Sequence, residues 1–128
     1  MLEHMQNNDM LVSMIEQQEN FMRLLQEKRG FPTFPVDIQS KDGQRFLKGI
    51  TFECMDELFE ANKELKNSKS HRQTNIDDFN RDAYIEELSD ALHYFFEIVI
   101  ASGISTVELY ESYMKKGNVN FDRINFGY

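Results

Sequence analysis

The segment Phe52–Leu65, FECMDELFEANKEL, places Glu53, Glu57, Glu60 and Glu64 at successive steps of four, three and four. On an α-helix those steps return to one side, so the carboxylates form a stripe that repels itself by roughly 0.2–0.5 kcal/mol per neighbouring pair. Only Lys63 stands close by to relieve it. Downstream, Glu86, Glu87, Asp90 and Glu97 make a second acidic set, with His93 alongside. Glu57 and Glu60 are three apart within ELFE, as Glu87 and Asp90 are within ELSD. If adjacent antiparallel helices carry these pairs, four hard oxygen donors converge, a set that suits Mg2+ or Mn2+ rather than Zn2+. The competing reading is a solvated face, where carboxylates of an amphipathic helix usually lie. A di-iron centre of the ferritin kind needs two Glu-x-x-His motifs, and only DALH, Asp90 to His93, approaches one.

The elements that must hold these residues read as helices. Leu11, Met14, Ile15, Phe21, Met22, Leu24 and Leu25 give an apolar face to a first helix over about 9–28, which Gly30 stops. GFPTFPVDIQSKDG is a loop by its prolines and glycines. A second helix covers about 45–66, with Leu47, Ile50, Cys54, Leu58, Ala61 and Leu65 on its apolar side. Asp77 or Asp78 caps a third helix over about 79–102, where Ile85, Leu88, Leu92, Phe95 and Val99 recur at steps of three and four. Gly103 ends it, and STVELYESYMKK gives a short fourth helix from a Ser105 or Thr106 cap. The tail GNVNFDRINFGY lacks periodicity and is expected to be mobile. The predicted fold is an all-α bundle of four to five helices, one domain over residues 1–128, with the Phe and Met stripes as its core.

Composition narrows the function. A net charge of −8 argues against a nucleic-acid grip, which needs clustered Lys and Arg. No run of about 18 apolar residues is present and MLEHMQNNDM lacks the pattern of a signal peptide, so a cytoplasmic protein without a membrane span is expected. The single cysteine, Cys54, reads as a buried thiol.

DELFEANKELKN, YIEELSDALHYFFE and YMKKGNVNFDRINFGY, taken in order, resemble the three signature blocks of the dimeric-type dUTPases, a branch of the all-α nucleoside triphosphate pyrophosphatases that also includes the MazG-like enzymes. The resemblance covers roughly residues 11–128. It implies a homodimer or higher assembly and Mg2+-dependent hydrolysis of a deoxynucleoside triphosphate to monophosphate and pyrophosphate. It implies Glu57, Glu60, Glu87 and Asp90 as metal ligands, the four that spacing alone singles out. Glu57, with Glu60 beside it, is expected as the base that takes a proton from water; Glu53 and Asp56 would hold water at the edge, and His93 would support Asp90.

By the same resemblance Lys115, Lys116, Asn120, Arg123 and Tyr128 would close over the phosphates. Gln18, Phe21 and Asn67 would meet the base. Two departures bear on that base: the chain has no Trp where the family's Lys-Asn block runs into one, and Met22 stands where a polar residue belongs. The substrate reading is dUTP, with another nucleotide such as dCTP, or a binding module without turnover, as the alternatives.

Overall fold

The computed structural model describes residues 9–73 and 79–127. They form four helices, α1 (Met10–Arg29), α2 (Lys41–Lys63), α3 (Arg81–Ala101) and α4 (Thr106–Phe126), with no strand among the described residues. The fold is an all-α bundle. No single described helix is long and apolar enough to cross a membrane. The chain divides into two compact units, one comprising Met1–Val36 with Val99–Tyr128 and the other Asp37–Ile98.

In the first unit, the Asp9 carboxylate caps α1 by accepting from the Leu11 and Val12 amides at 2.8 and 3.3 Å. Gly30 ends the helix in the left-handed region at φ 67°, a conformation that only a residue without a Cβ adopts cheaply. Ile15, Gln18 and Met22, at steps of three and four, are the buried line of α1. Its apolar face is narrower than the sequence suggests, because Met14, Phe21 and Leu24 stay exposed. The Val36 amide donates to the Ala101 carbonyl at 2.8 Å, which ties the loop to the end of α3.

Ser105 opens α4 with a complete capping box. Its hydroxyl accepts from the Glu108 amide at 3.1 Å while the Glu108 carboxylate accepts from the Ser105 amide at 2.8 Å. That hydrogen bond also holds the Glu108 carboxyl below its usual range. The helix then runs through Gly117, Asn118 and Asn120 to Phe126, so α4 is longer than expected and the tail without periodicity is helical. These residues are poor helix formers, but propensity is a weak prior that a well-nucleated helix overrides.

In the second unit, α2 starts four residues ahead of expectation because Ser40 caps it. The Ser40 hydroxyl accepts from the Gly43 amide at 2.9 Å and donates to the Asp37 carbonyl at 2.7 Å. The SKDG stretch is therefore a helix start, not the end of a loop. Gly43 allows the Asp37 carbonyl to lie against the first turn, where a Cβ would come within 2.0 Å of its oxygen.

Asp77 and Asp78 lie outside the described residues; the side chain seen capping α3 is Asn80, which accepts from the Ala83 amide at 3.0 Å. Buried Ala61 and Ala91 keep the interior of α2 and α3 thin, and the half-buried Cys54 thiol donates to the Ala91 carbonyl at 3.3 Å. Burial pushes that thiol up, so it stays protonated and inert at neutral pH. The core of the unit is Ile50, Ala61, Ala91 and Phe96. Contrary to the expectation from periodicity, Ile85, Leu88, Leu92 and Phe95 are not core: each is 37–45% exposed.

Candidate metal centre

Glu57 of α2 and Glu87 and Asp90 of α3 each offer a carboxylate oxygen, and the three oxygens lie within 4.8 Å of one another. Glu57 and Glu87 are half-buried and Asp90 is exposed. The group forms because Glu57 sits on the acidic side of α2, and Glu87 and Asp90, three residues apart, rise from neighbouring turns of α3. Partial burial, then the negative charges of Asp90 and Glu87, push the Glu57 carboxyl above its ordinary range. A hydrogen bond to Glu87 and the charge of Glu60 act in the same direction. Two carboxyl groups can share a hydrogen bond only by holding a proton between them, and a cation can take that proton's place.

The donor set fits a hard divalent ion. Three carboxylate oxygens gathered from two helices are the hard donors that such an ion takes. Glu57, Glu87 and Asp90 would be its ligands.

Glu60, the fourth expected ligand, stands outside the group of three. Its carboxylate accepts from Lys63 Nζ at 3.0 Å in an exposed ion pair that adds little stability. Glu53 lies one turn before Glu57 and is near enough to act on Tyr94, while Asp56 is exposed. His93 is exposed on α3, one turn past Asp90, and Asn67 is half-buried in the turns after α2.

The other expected residues belong to the first unit. Gln18 is a polar side chain buried on α1, whereas Phe21 is exposed. Lys115, Lys116, Asn120 and Arg123 are exposed on α4, where Lys116, Asn120 and Arg123 follow one another at steps of four and three, on one side. Tyr128 lies outside the described residues.

Sequence reasoning overlooked Tyr94 and, having named Glu97 in the acidic set, gave it no role, yet both belong to this region. Tyr94 is pushed up by burial and then by Glu53, Glu57, Glu97 and Asp90, so its hydroxyl sits in the field of four carboxylates. Glu97 is 5% exposed, and burial raises its carboxyl. The signal was present: Glu87, Asp90, Tyr94 and Glu97 are spaced three, four and three, one continuous side of α3.

No curated protein and no solved structure matches the chain. The sequence profile of one protein family does, over residues 3–128, and that family is described as dUTPase.

Proposed function

The chain belongs to this dUTPase family, the dimeric all-α branch of the MazG-like superfamily, and from that premise we propose that it hydrolyses a deoxynucleoside triphosphate, dUTP first, to the monophosphate and pyrophosphate with Mg2+ or Mn2+. The observation that carries the reading is the meeting of Glu57, Glu87 and Asp90, drawn from the two segments ELFE and ELSD, within 4.8 Å. The reading treats residues 1–128 as one catalytic domain acting as a homodimer in the cytoplasm.

The bound ion would neutralise phosphate charge and make a coordinated water acidic enough to attack phosphorus near neutral pH. With the ion bound, Glu57 would be ionised and would receive the water's proton on the carboxylate oxygen that does not face the ion. Glu53 would orient that water, and Glu60, released from Lys63, would join the ligands. Lys116, Asn120 and Arg123 form a donor row suited to phosphate oxygens, with the Arg123 guanidinium offering a planar fork and Lys115 a further charge. Gln18 and Asn67 bring amides suited to the edge of a base, and Phe21 a ring suited to its face.

The test is pyrophosphate release from each of dUTP, dCTP, dTTP, dATP and dGTP, with Mg2+ and with chelator. Release from dUTP is expected, lost on chelation, and reduced at least about 100-fold by Asp90→Asn with helicity unchanged. Mg2+ should raise the Tm of the parent and leave that of Asp90→Asn unmoved. Release from no nucleotide would overturn the reading in favour of a binding module; release from dCTP in place of dUTP would correct the base alone.

A further inference from the structure

We propose that Tyr94 is a positioning residue: its hydroxyl donates to the Glu53 carboxylate and fixes that side chain at the edge of the candidate metal centre, where Glu53 orients water. This rests on the hydrolysis proposed above and names the residue that sets the direction of Glu53 in it.

Helical register places the two together. The Cys54 thiol meets the Ala91 carbonyl at 3.3 Å, while Glu57, further along α2, gathers with Glu87 and Asp90, which come earlier on α3. The two helices therefore run antiparallel in this region. One turn back from Glu57 on α2 is Glu53, and one turn on from Asp90 along α3 is Tyr94. Steps of four in opposite senses keep both residues on the sides that bring Glu57 and Asp90 within 4.8 Å. Glu53 and Tyr94 thus repeat that pair one turn along the seam. Charge agrees: after burial, Glu53 is the largest influence on the Tyr94 phenol, ahead of Glu57, Glu97 and Asp90.

The surroundings give the hydroxyl a donor's role. Tyr94 is half-buried, and the charged groups acting on it are carboxylates, which accept when ionised. Glu57 and Asp90 would serve the ion, and Glu97 belongs to the enclosed next turn of α3. Glu53 remains. No Lys or Arg stands three or four residues from it on α2, where Gly49, Ile50, Asp56 and Glu57 occupy those places. Its exposed side chain turns on single bonds, so it closes on the hydroxyl with neither helix moved. An O–H donated to a carboxylate is among the stronger hydrogen bonds, and a half-buried ring holds its direction better than a glutamate on an exposed face.

Tyr94→Phe keeps the ring and removes the hydroxyl alone. With dUTP and saturating Mg2+ it should lower kcat about 10-fold and leave KM within about twofold. Mg2+ should still raise its Tm as it raises that of the parent, since Tyr94 holds no ligand of the ion. Added to Glu53→Ala, Tyr94→Phe should cost less than about twofold more in kcat, because the two residues act as one unit. The same cycle is read without metal or substrate, by chemical denaturation of the chelated protein with helicity checked by circular dichroism. There Tyr94→Phe should lower the midpoint of the parent and leave that of Glu53→Ala unmoved. Equal effects of Tyr94→Phe in both backgrounds would overturn the proposal, as would parent kcat in Tyr94→Phe or loss of its Mg2+ response. A parent that hydrolyses no nucleotide but shows coupled midpoints would overturn the reaction and keep the pair; uncoupled midpoints overturn the pair whatever the activity. Should Glu53→Ala lose helicity, Glu53→Met takes its place in the cycle.

Discussion

A carboxylate as enclosed as that of Glu97 works against folding at neutral pH, because ionising it takes a charge out of water. Its folded pKa is raised by burial, so the penalty is absent below the ordinary carboxylate range and grows as pH rises through the folded value. Glu97→Gln keeps shape and removes the ionisation. Thermal melts should therefore show the variant more stable than the parent by a few degrees at pH 8, with the gain shrinking toward pH 5. A gain that does not depend on pH would mean that the ionisation of Glu97 is not its source. Tyr94 feels both this acid and the carboxylates of the candidate centre, and burial together with those charges keeps its phenol protonated at any physiological pH. Glu57, Glu87 and Asp90 were legible as a group because two short motifs share one spacing. Glu97 was not, since distinguishing a buried carboxylate from a solvated one requires knowing what packs over that turn of α3.

Among the elements, α2 offers the sharpest stability contrast. A Cβ at Gly43 would meet the Asp37 carbonyl oxygen at 2.0 Å, and backbone on both sides of the clash leaves little room to relax. Gly43→Ala should cost about 2 kcal/mol or more by displacing the Ser40 cap. Gly49 lies inside the same helix with nothing within 4 Å of where a methyl group would stand, so Gly49→Ala should gain about 0.5–1 kcal/mol. Chemical denaturation of the pair checks both, and equal effects would show that the cap is not what starts α2. Helix identity was readable throughout, from the apolar periodicities, the stops at Gly30 and Gly103 and a cap at Ser105 or Thr106. Boundaries were less so: Ser40 was hidden by the loop-like SKDG to which it belongs. The end of α4 was hidden because Gly117, Asn118 and Asn120 favour turns in isolation, and the capping box that nucleates the helix begins more than ten residues upstream.

For the molecule as a whole, the proposed homodimer would link stability to concentration, and the Tm of the parent should climb as protein concentration rises from about 1 to 100 μM. A parent Tm that ignores concentration would indicate chains that fold independently. The Ile85, Leu88, Leu92 and Phe95 row of α3 was visible in the sequence as the clearest periodicity in the chain, but periodicity reports that a face is apolar and says nothing of whether the same chain or another covers it. The helical end of α4 carries a consequence of a different kind. A segment of about ten residues that winds only around its ligand spends on the order of 10 kcal/mol of backbone entropy at the moment of capture. With α4 already wound to Phe126, that expense falls in folding instead. If phosphate binds Lys116, Asn120 and Arg123 as proposed, it would meet donors already in place, and its capture would have the small heat-capacity change of a rigid encounter, without the large one of a chain that folds as it binds.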